Sequence, residues 1–153
     1  MIRVGLISDT HGLMRPEALE ALAGVAHIVH AGDIGTAEIL EQLRAIAPVT
    51  AVRGNNDKGA WASGIAEHEV VEIGGQSIYV LHDLKELDLD PVASGFSVVV
   101  TGHSHKPLIT TRDDVLYVNP GSAGPRRFKL PISIAMLEIA GKTTQAQIRE
   151  LNL

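Results

Sequence analysis

The sequence predicts an α/β fold: two facing β-sheets with helices outside and a cluster of ligand-type side chains at the strand ends. Three observations carry that expectation. Short apolar runs rich in Val, Ile and Leu recur along the 153 residues and stop repeatedly beside glycine together with Asp, Asn or His. Helical stretches separate the first three runs, which makes those strands parallel and gathers their C-terminal ends on one edge of a sheet. From Glu67 onward the pattern changes to hairpins, so the second half reads as mostly antiparallel.

The first strand is expected at residues 2–8, ending in Ser8-Asp9-Thr10-His11-Gly12. Pro16 to Gly24 suits a short helix, with proline in its first turn and glycine just past its end. A second strand, His27 to Ala31, runs into Gly32-Asp33. Thr36 is placed to cap a helix from Ala37 to Ala47, where Ile39, Leu40, Leu43 and Ile46 form an apolar stripe at helical spacing. Val49 to Val52 is a third strand, ending in Arg53-Gly54-Asn55-Asn56-Asp57. Glu69 to Ile73 and Ser77 to Leu81 flank Gly74-Gly75 as a hairpin whose second arm ends at His82. A short helix is expected around Pro91 to Ser94, then a strand at 97–101, a hairpin of Leu108 to Thr111 with Val115 to Val118, and a last hairpin of Ile132 to Ile139 with Thr143 to Leu151.

A chain of this length is one ordinary domain, residues 1–153, large enough to bury a real core. Aromatic residues are only 3%, so that core must be built from Val, Ile, Leu and Ala. A net charge of −5 lacks the basic footprint of a protein that grips nucleic acid by its backbone, and no stable nucleic-acid complex is expected. Without cysteine there are no disulfides, thiolate chemistry or thiolate-bound metals; any metal must be held by His, Asp, Glu or Asn. No stretch approaches a signal-peptide core or a membrane span, so a cytoplasmic protein with no membrane partner is expected.

The run Val98-Val99-Val100-Thr101-Gly102-His103-Ser104-His105 delivers two histidines to a loop. In extended chain both rings would point to the same side and could serve one metal or two adjacent ones, while Gly102 would let the backbone turn where the strand stops. Collecting the strand-end residues gives Asp9, His11, Asp33, Asn55, His82, His103 and His105. Two divalent ions with three or four protein ligands each, sharing one carboxylate, would use this whole set and leave positions for water and substrate. Imidazole mixed with carboxylate and carboxamide oxygen suits Mn²⁺, Fe²⁺, Ni²⁺ or Zn²⁺ better than an all-oxygen Ca²⁺ or Mg²⁺ cage.

Taken together, Asp9-Thr10-His11, Gly32-Asp33, Gly54-Asn55-Asn56-Asp57, His82 and Gly102-His103-Ser104-His105 resemble, in type and order, the motif series of calcineurin-like metallophosphoesterases. The size and the segment Asn119-Pro120-Gly121-Ser122 resemble the compact bacterial and archaeal phosphodiesterase branch. The resemblance implies a four-layer αββα sandwich of two mixed β-sheets flanked by helices. It assigns Asp9, His11 and His105 to a first metal, Asn55, His82 and His103 to a second, and Asp33 to the bridge. It also implies in-line attack on phosphorus by a metal-activated hydroxide, with Mn²⁺ as the first choice of ion and a small phosphoester as the partner. A homo-oligomer is compatible with all of this.

Two positions depart from that pattern. Many relatives carry a histidine after the Gly-Asn pair, where this chain has Asn56, and an amide donates a hydrogen bond but transfers no proton at neutral pH. Asn56 and the adjacent Asp57 are the expected catalytic pair, with Asp57 either orienting Asn56 or closing a turn. At His82-Asp83-Leu84 relatives carry glycine and histidine after the ligand, so Asp83 adds a negative charge near the second metal. His27, His30 and His68 are expected to be structural, with His30 also able to support a ligand from behind. Trp61 could stack on substrate or pack on the sheet; Arg126 and Arg127 could grip phosphate or lie in solvent; Ser122 reads as a turn residue. The alternatives to a phosphodiesterase are a phosphomonoesterase on the same metals and a non-catalytic scaffold. A scaffold subunit of eukaryotic endosomal sorting is related to this fold but departs from the ligand pattern, whereas all seven ligand types are present here.

Overall fold

In the computed structural model, which describes all 153 residues, ten strands form two five-stranded sheets. The first sheet takes β1 (Ile2–Ile7), β2 (His27–His30), β3 (Val49–Ala51), β9 (Ser133–Ala140) and β10 (Thr143–Glu150), in the order β10-β9-β1-β2-β3. The second takes β4 (His68–Ile73), β5 (Gln76–Leu81), β6 (Val98–Val100), β7 (Leu108–Arg112) and β8 (Val115–Asn119), in the order β4-β5-β6-β8-β7. Helices α1 (Pro16–Ala21) and α2 (Ala37–Arg44) connect β1 to β2 and β2 to β3, and those three strands are parallel as expected. The second half is less antiparallel than its hairpins imply, because β6 pairs parallel with both β5 and β8. Both sheets are therefore mixed.

Strand alternation sorts the apolar residues into layers. Val4, Leu6 and Val29 face Ile78, Val80, Val98 and Val100 across the space between the sheets, with no aromatic ring among the buried residues there. Ile7, Ile28, Ile134 and Met136, on the other face of the first sheet, receive Leu22 of the α1 turn and Ile39, Leu40 and Leu43 of α2. The outer layer over the second sheet is thinner. It consists of the segment from Asp83 to Phe96, with one 3₁₀ turn at Leu84–Glu86, packing Leu87, Leu89 and Phe96 onto Tyr79, Leu81 and Val99. Residues 91–95 form a turn where a short helix was expected, since four residues ahead of a glycine are too few to nucleate one. Thr36 does occupy the N-cap position of α2, but its side chain makes no capping bond.

The turn joining β7 to β8 places both Asp113 and Asp114 in the left-handed region, as two-residue hairpins require. Parallel pairing puts the C-terminal ends of β1, β2 and β3 side by side in one sheet, and of β5, β6 and β8 in the other. All the ligand-type side chains leave the framework at those ends.

Candidate metal centre

Five of the seven expected ligands sit on left-handed backbone: Asp9 (φ 56°), His11 (47°), Asp33 (54°), His103 (71°) and His105 (62°). This conformation costs a non-glycine residue about 1–3 kcal/mol and persists only where surrounding bonds enforce it. Here the enforcement is backbone to backbone: Asp9 N–H donates to Gly32 (3.0 Å), His11 N–H to Asp33 (2.9 Å), Gly12 N–H to Ile34 (2.8 Å) and Gly102 N–H to His82 (2.9 Å). The extended geometry expected for the His103/His105 pair is thereby corrected. The two rings part company, His105 lying against His11 with centroids 5.3 Å apart and His103 edge-on to His82 at 5.2 Å. Gly102 serves closeness rather than a turn, because a Cβ there would run into the Ser8 hydroxyl and the Asp9 carboxylate. At Gly54 a Cβ would strike the Asp33 carboxylate and N–H.

The resulting cluster has two overlapping halves. Asp9, His11 and His105 form one group and Asp9, Asp33 and His82 another, each with its ligand atoms within 4.8 Å of one another. Asp9 Oδ1 is 3.5 Å from His105 Nε2, 3.8 Å from His11 Nε2 and 3.9 Å from His82 Nε2. Asp33 Oδ2 is 3.2 Å from His82 Nε2 and 3.7 Å from His11 Nε2, so it also faces both halves. His82 Nδ1 donates to the Ala31 carbonyl (2.7 Å), which turns Nε2 toward the carboxylates. His103 stands at the rim, its side chain 46% exposed and its Nε2 3.7 Å from Asp83 Oδ2. Asn55 is exposed and shares with Arg53, His82, Asp83 and His103 the wall of a polar cavity of about 260 Å³.

The charges of this site compensate one another only in part, Asp33 pairing with His82 at 3.2 Å. Burial raises the Asp9 pKa above the usual carboxylate range, and the neighbouring Asp33 adds to that. Burial acts in the same direction on Asp33, but the adjacent His82, the Asn56 N–H and the His11 ring outweigh it and hold Asp33 well below that range. Burial would depress His82; the Asp33 carboxylate, Asp9 and the Ala31 carbonyl overcome it and push His82 up to about 9. His105 goes the other way, down to about 4, through burial, the nearby Arg127 guanidinium and the neighbouring His11 ring. Asp9 Oδ1 and His82 Nε2 are buried without a hydrogen-bond partner. Orphaned acceptor and imidazole atoms converging on one point form a donor set that fits divalent cations.

Residues outside the ligand set hold this cluster from behind, His30 among them as the sequence allowed. Ser8 Oγ donates to Asp9 Oδ2 (2.8 Å), and Ser122 Oγ donates to the Asp9 carbonyl (3.0 Å). Asn119 Nδ2 donates to the Gly102 carbonyl (2.9 Å) and to Ser104 Oγ (3.1 Å), tying the histidine loop to the end of β8. His30 is wholly buried; its Nδ1 accepts from Gly32 N–H (3.1 Å), its Nε2 meets Thr10 Oγ1 (3.0 Å), and Thr10 donates onward to Ile34 (2.7 Å). Ser8, Thr10 and His30 lie within three residues of a ligand in sequence, whereas Asn119 and Ser122 are far from any and were marked only by the Asn119-Pro120-Gly121-Ser122 segment.

Burial, with the nearby His82 charge, pushes His30 down to about 3. In an unfolded chain the group titrates at about 6.5, so below that pH the unfolded state takes up a proton that the folded state refuses. The stability it confers is complete above pH 6.5 and falls as the pH drops toward 3, by at most about 1.4 kcal/mol per pH unit. His105 shares the sign. In urea titrations of the metal-free protein between pH 6.5 and 4.5, His30→Gln should show a shallower loss of stability than wild type; equal slopes would contradict the neutral, buried His30.

Asn56 donates from its backbone to Asp33 Oδ1 (2.9 Å) and from its side chain to Asp33 Oδ2 (3.2 Å). Asp57 is buried and turned away from this centre. Its carboxylate accepts the backbone N–H groups of Ile34 (3.0 Å), Gly35 (2.9 Å) and Gly54 (3.0 Å), so of the two roles considered it closes loops and leaves Asn56 to others. Trp61 packs against the core on the helical side of the first sheet rather than over the centre. His27 meets Thr50 (2.8 Å) and His68 meets the Tyr79 hydroxyl (2.7 Å), both in structural settings. Arg126 donates to the Leu130 carbonyl (3.2 Å) within its own loop.

Comparison with known proteins agrees with this geometry. The model of the calcineurin-like phosphoesterase superfamily domain matches residues 2–142. A probable metallophosphoesterase of Methanothermobacter thermautotrophicus is 35% identical, over 95% of this chain and 90% of its own. A phosphodiesterase of Methanocaldococcus jannaschii is 28% identical, over 78% of this chain and 83% of its own. Among solved structures, Vps29 of Chaetomium thermophilum superposes with a TM-score of 0.79 over 99% of this chain and 97% of its own, at 19% identity, which speaks to the fold alone. With its two mixed sheets and its strand-end cluster of histidines and aspartates, the chain belongs to the calcineurin-like phosphoesterase superfamily.

Proposed function

We propose that the protein is a single-domain, dinuclear metal-dependent phosphodiesterase of the cytoplasm, acting on a small phosphoester with Mn²⁺ as the preferred ion. One observation carries the reading: Asp9 Oδ1 and His82 Nε2 are buried without partners at the meeting point of two ligand groups. In this reading Asp9, His11 and His105 hold one ion, Asn55, His82 and His103 hold the other, and Asp33 faces both. Ions bound there would polarise the phosphoryl oxygens and bring the pKa of an attacking water to about 7.

The chain's own part is placement. Asp33 and Asp9 fix the imidazoles by charge, while Asn56, already hydrogen-bonded to Asp33, presents an amide N–H to a phosphoryl oxygen. Water forms the new P–O bond, the ester P–O bond breaks, and the alcohol leaves carrying the electron pair. Asn56 has no proton to give it, so good leaving groups and diesters are favoured. The alkoxide of a poor leaving group must be protonated by solvent.

With Mn²⁺ supplied, the protein should hydrolyse bis-(p-nitrophenyl) phosphate faster than p-nitrophenyl phosphate, and Asn56→His should raise turnover on diesters of poor leaving groups by about tenfold or more. A metal-loaded preparation that hydrolyses neither ester would favour the scaffold reading. Monoester hydrolysis outpacing the diester would favour the phosphomonoesterase.

A further inference from the structure

Beside the metal centre lies a second cavity, of about 370 Å³, which shares Asp83 and His103 with the polar one. Its origin is in the fold. The segment after β5 packs over Tyr79 and Val99 and reaches Tyr117, but leaves the start of β7 at Leu108 uncovered. Tyr117 and Leu108 therefore line an open apolar floor, Leu108 being 53% exposed. Around that floor stand Lys85, Lys106 and Arg112.

These cations are unusual in a chain of net charge −5. None of the three has a carboxylate within 4.0 Å, as every ion pair in the molecule lies elsewhere. Arg112 is held over the Tyr117 ring with its guanidinium carbon 5.0 Å from the centroid. The one acid on the wall, Asp83, is turned to the Lys85 backbone N–H (3.1 Å) and toward His103. An apolar floor with an unpaired cationic rim, opening directly onto the proposed reaction centre, has the build of a site for part of a ligand.

We propose that this cavity receives one ester arm of the substrate, and that the arm has an apolar body ending in a carboxylate or phosphate. Lys85, Lys106 and Arg112 are its specificity-determining residues. The inference rests on the phosphodiesterase reading and narrows its substrate class to diesters with an anionic arm.

The test compares p-nitrophenyl phenyl phosphate with p-nitrophenyl 4-carboxyphenyl phosphate, two diesters that expel the same p-nitrophenolate and differ in the charge of the retained arm. With the Mn²⁺-loaded protein, kcat/KM for the carboxylated diester should exceed that for the phenyl diester by about tenfold, equivalent to about 1.4 kcal/mol. The exposed pair Lys85→Ala/Lys106→Ala should bring the ratio near one, while Lys142→Glu, in the β9–β10 turn, should keep it. A wild-type ratio near one, or a ratio retained in the double variant, overturns the subsite while leaving the phosphodiesterase intact. Hydrolysis of neither diester overturns both.

Discussion

Asp33→Ala should abolish metal-dependent hydrolysis, lowering kcat/KM by about three orders of magnitude or more, equivalent to about 4 kcal/mol of transition-state stabilisation. Asp33 Oδ2 faces both halves of the centre, 3.2 Å from His82 Nε2 and 3.7 Å from His11 Nε2. Asp9, the other carboxylate of the centre, has only Oδ1 free for an ion, because Oδ2 accepts from Ser8 Oγ and the His103 N–H. The fold should survive, because the variant also removes a negative charge that raises the pKa of Asp9. A second readout separates loss of metal from loss of structure. Saturating Mn²⁺ at about a hundred times its dissociation constant should stabilise wild type by about 2.7 kcal/mol for each ion bound. The variant should melt cooperatively but show little of that gain. Retained activity would remove Asp33 from the centre.

The second large effect is expected at a residue that the sequence placed in catalysis. Asp57→Ala leaves three backbone donors, Ile34, Gly35 and Gly54, without an acceptor. At about 1–3 kcal/mol for each unsatisfied buried group, partly relieved by relaxation and water, the loss should be about 3–5 kcal/mol. These donors belong to the two loops that carry Asp33 and Asn55, so Mn²⁺ affinity should also fall, by about 10- to 100-fold. Asp57→Asn should recover part of the stability, since its single carbonyl oxygen can accept from Ile34 and Gly54 while its NH₂ opposes Gly35. Urea denaturation and Mn²⁺ titration of both variants measure this. An alanine variant within about 1 kcal/mol of wild type that lost only turnover would restore Asp57 to the chemistry.

The contrast between these two aspartates marks what could be read from the sequence. The apolar runs before Asp9, Asp33 and His82 are unambiguous strand signals, and parallel pairing through short helices follows from them, so the gathering of ligand types at one edge was legible. The conformation of the ligands was not. Nothing in Gly102-His103-Ser104-His105 announces that both histidines take left-handed backbone, because that conformation is imposed by bonds to residues far away, such as Asn119 to the Gly102 carbonyl. The choice between the two roles of Asp57 was open in the sequence for the same reason: its three partners are backbone groups of two loops, and sequence cannot show where a backbone N–H points. The cationic cavity was hidden because Lys85, Lys106 and Arg112 belong to three different segments, brought together only by the folding of the second sheet.

The most direct measurement is the number of Mn²⁺ ions bound per chain, obtained by equilibrium dialysis of the purified protein followed by elemental analysis. Two ions should bind to wild type, with Asp33→Ala losing at least one of them. A wild type that binds no ion, or an Asp33→Ala variant that binds as many as wild type, would contradict a dinuclear centre built on Asp33.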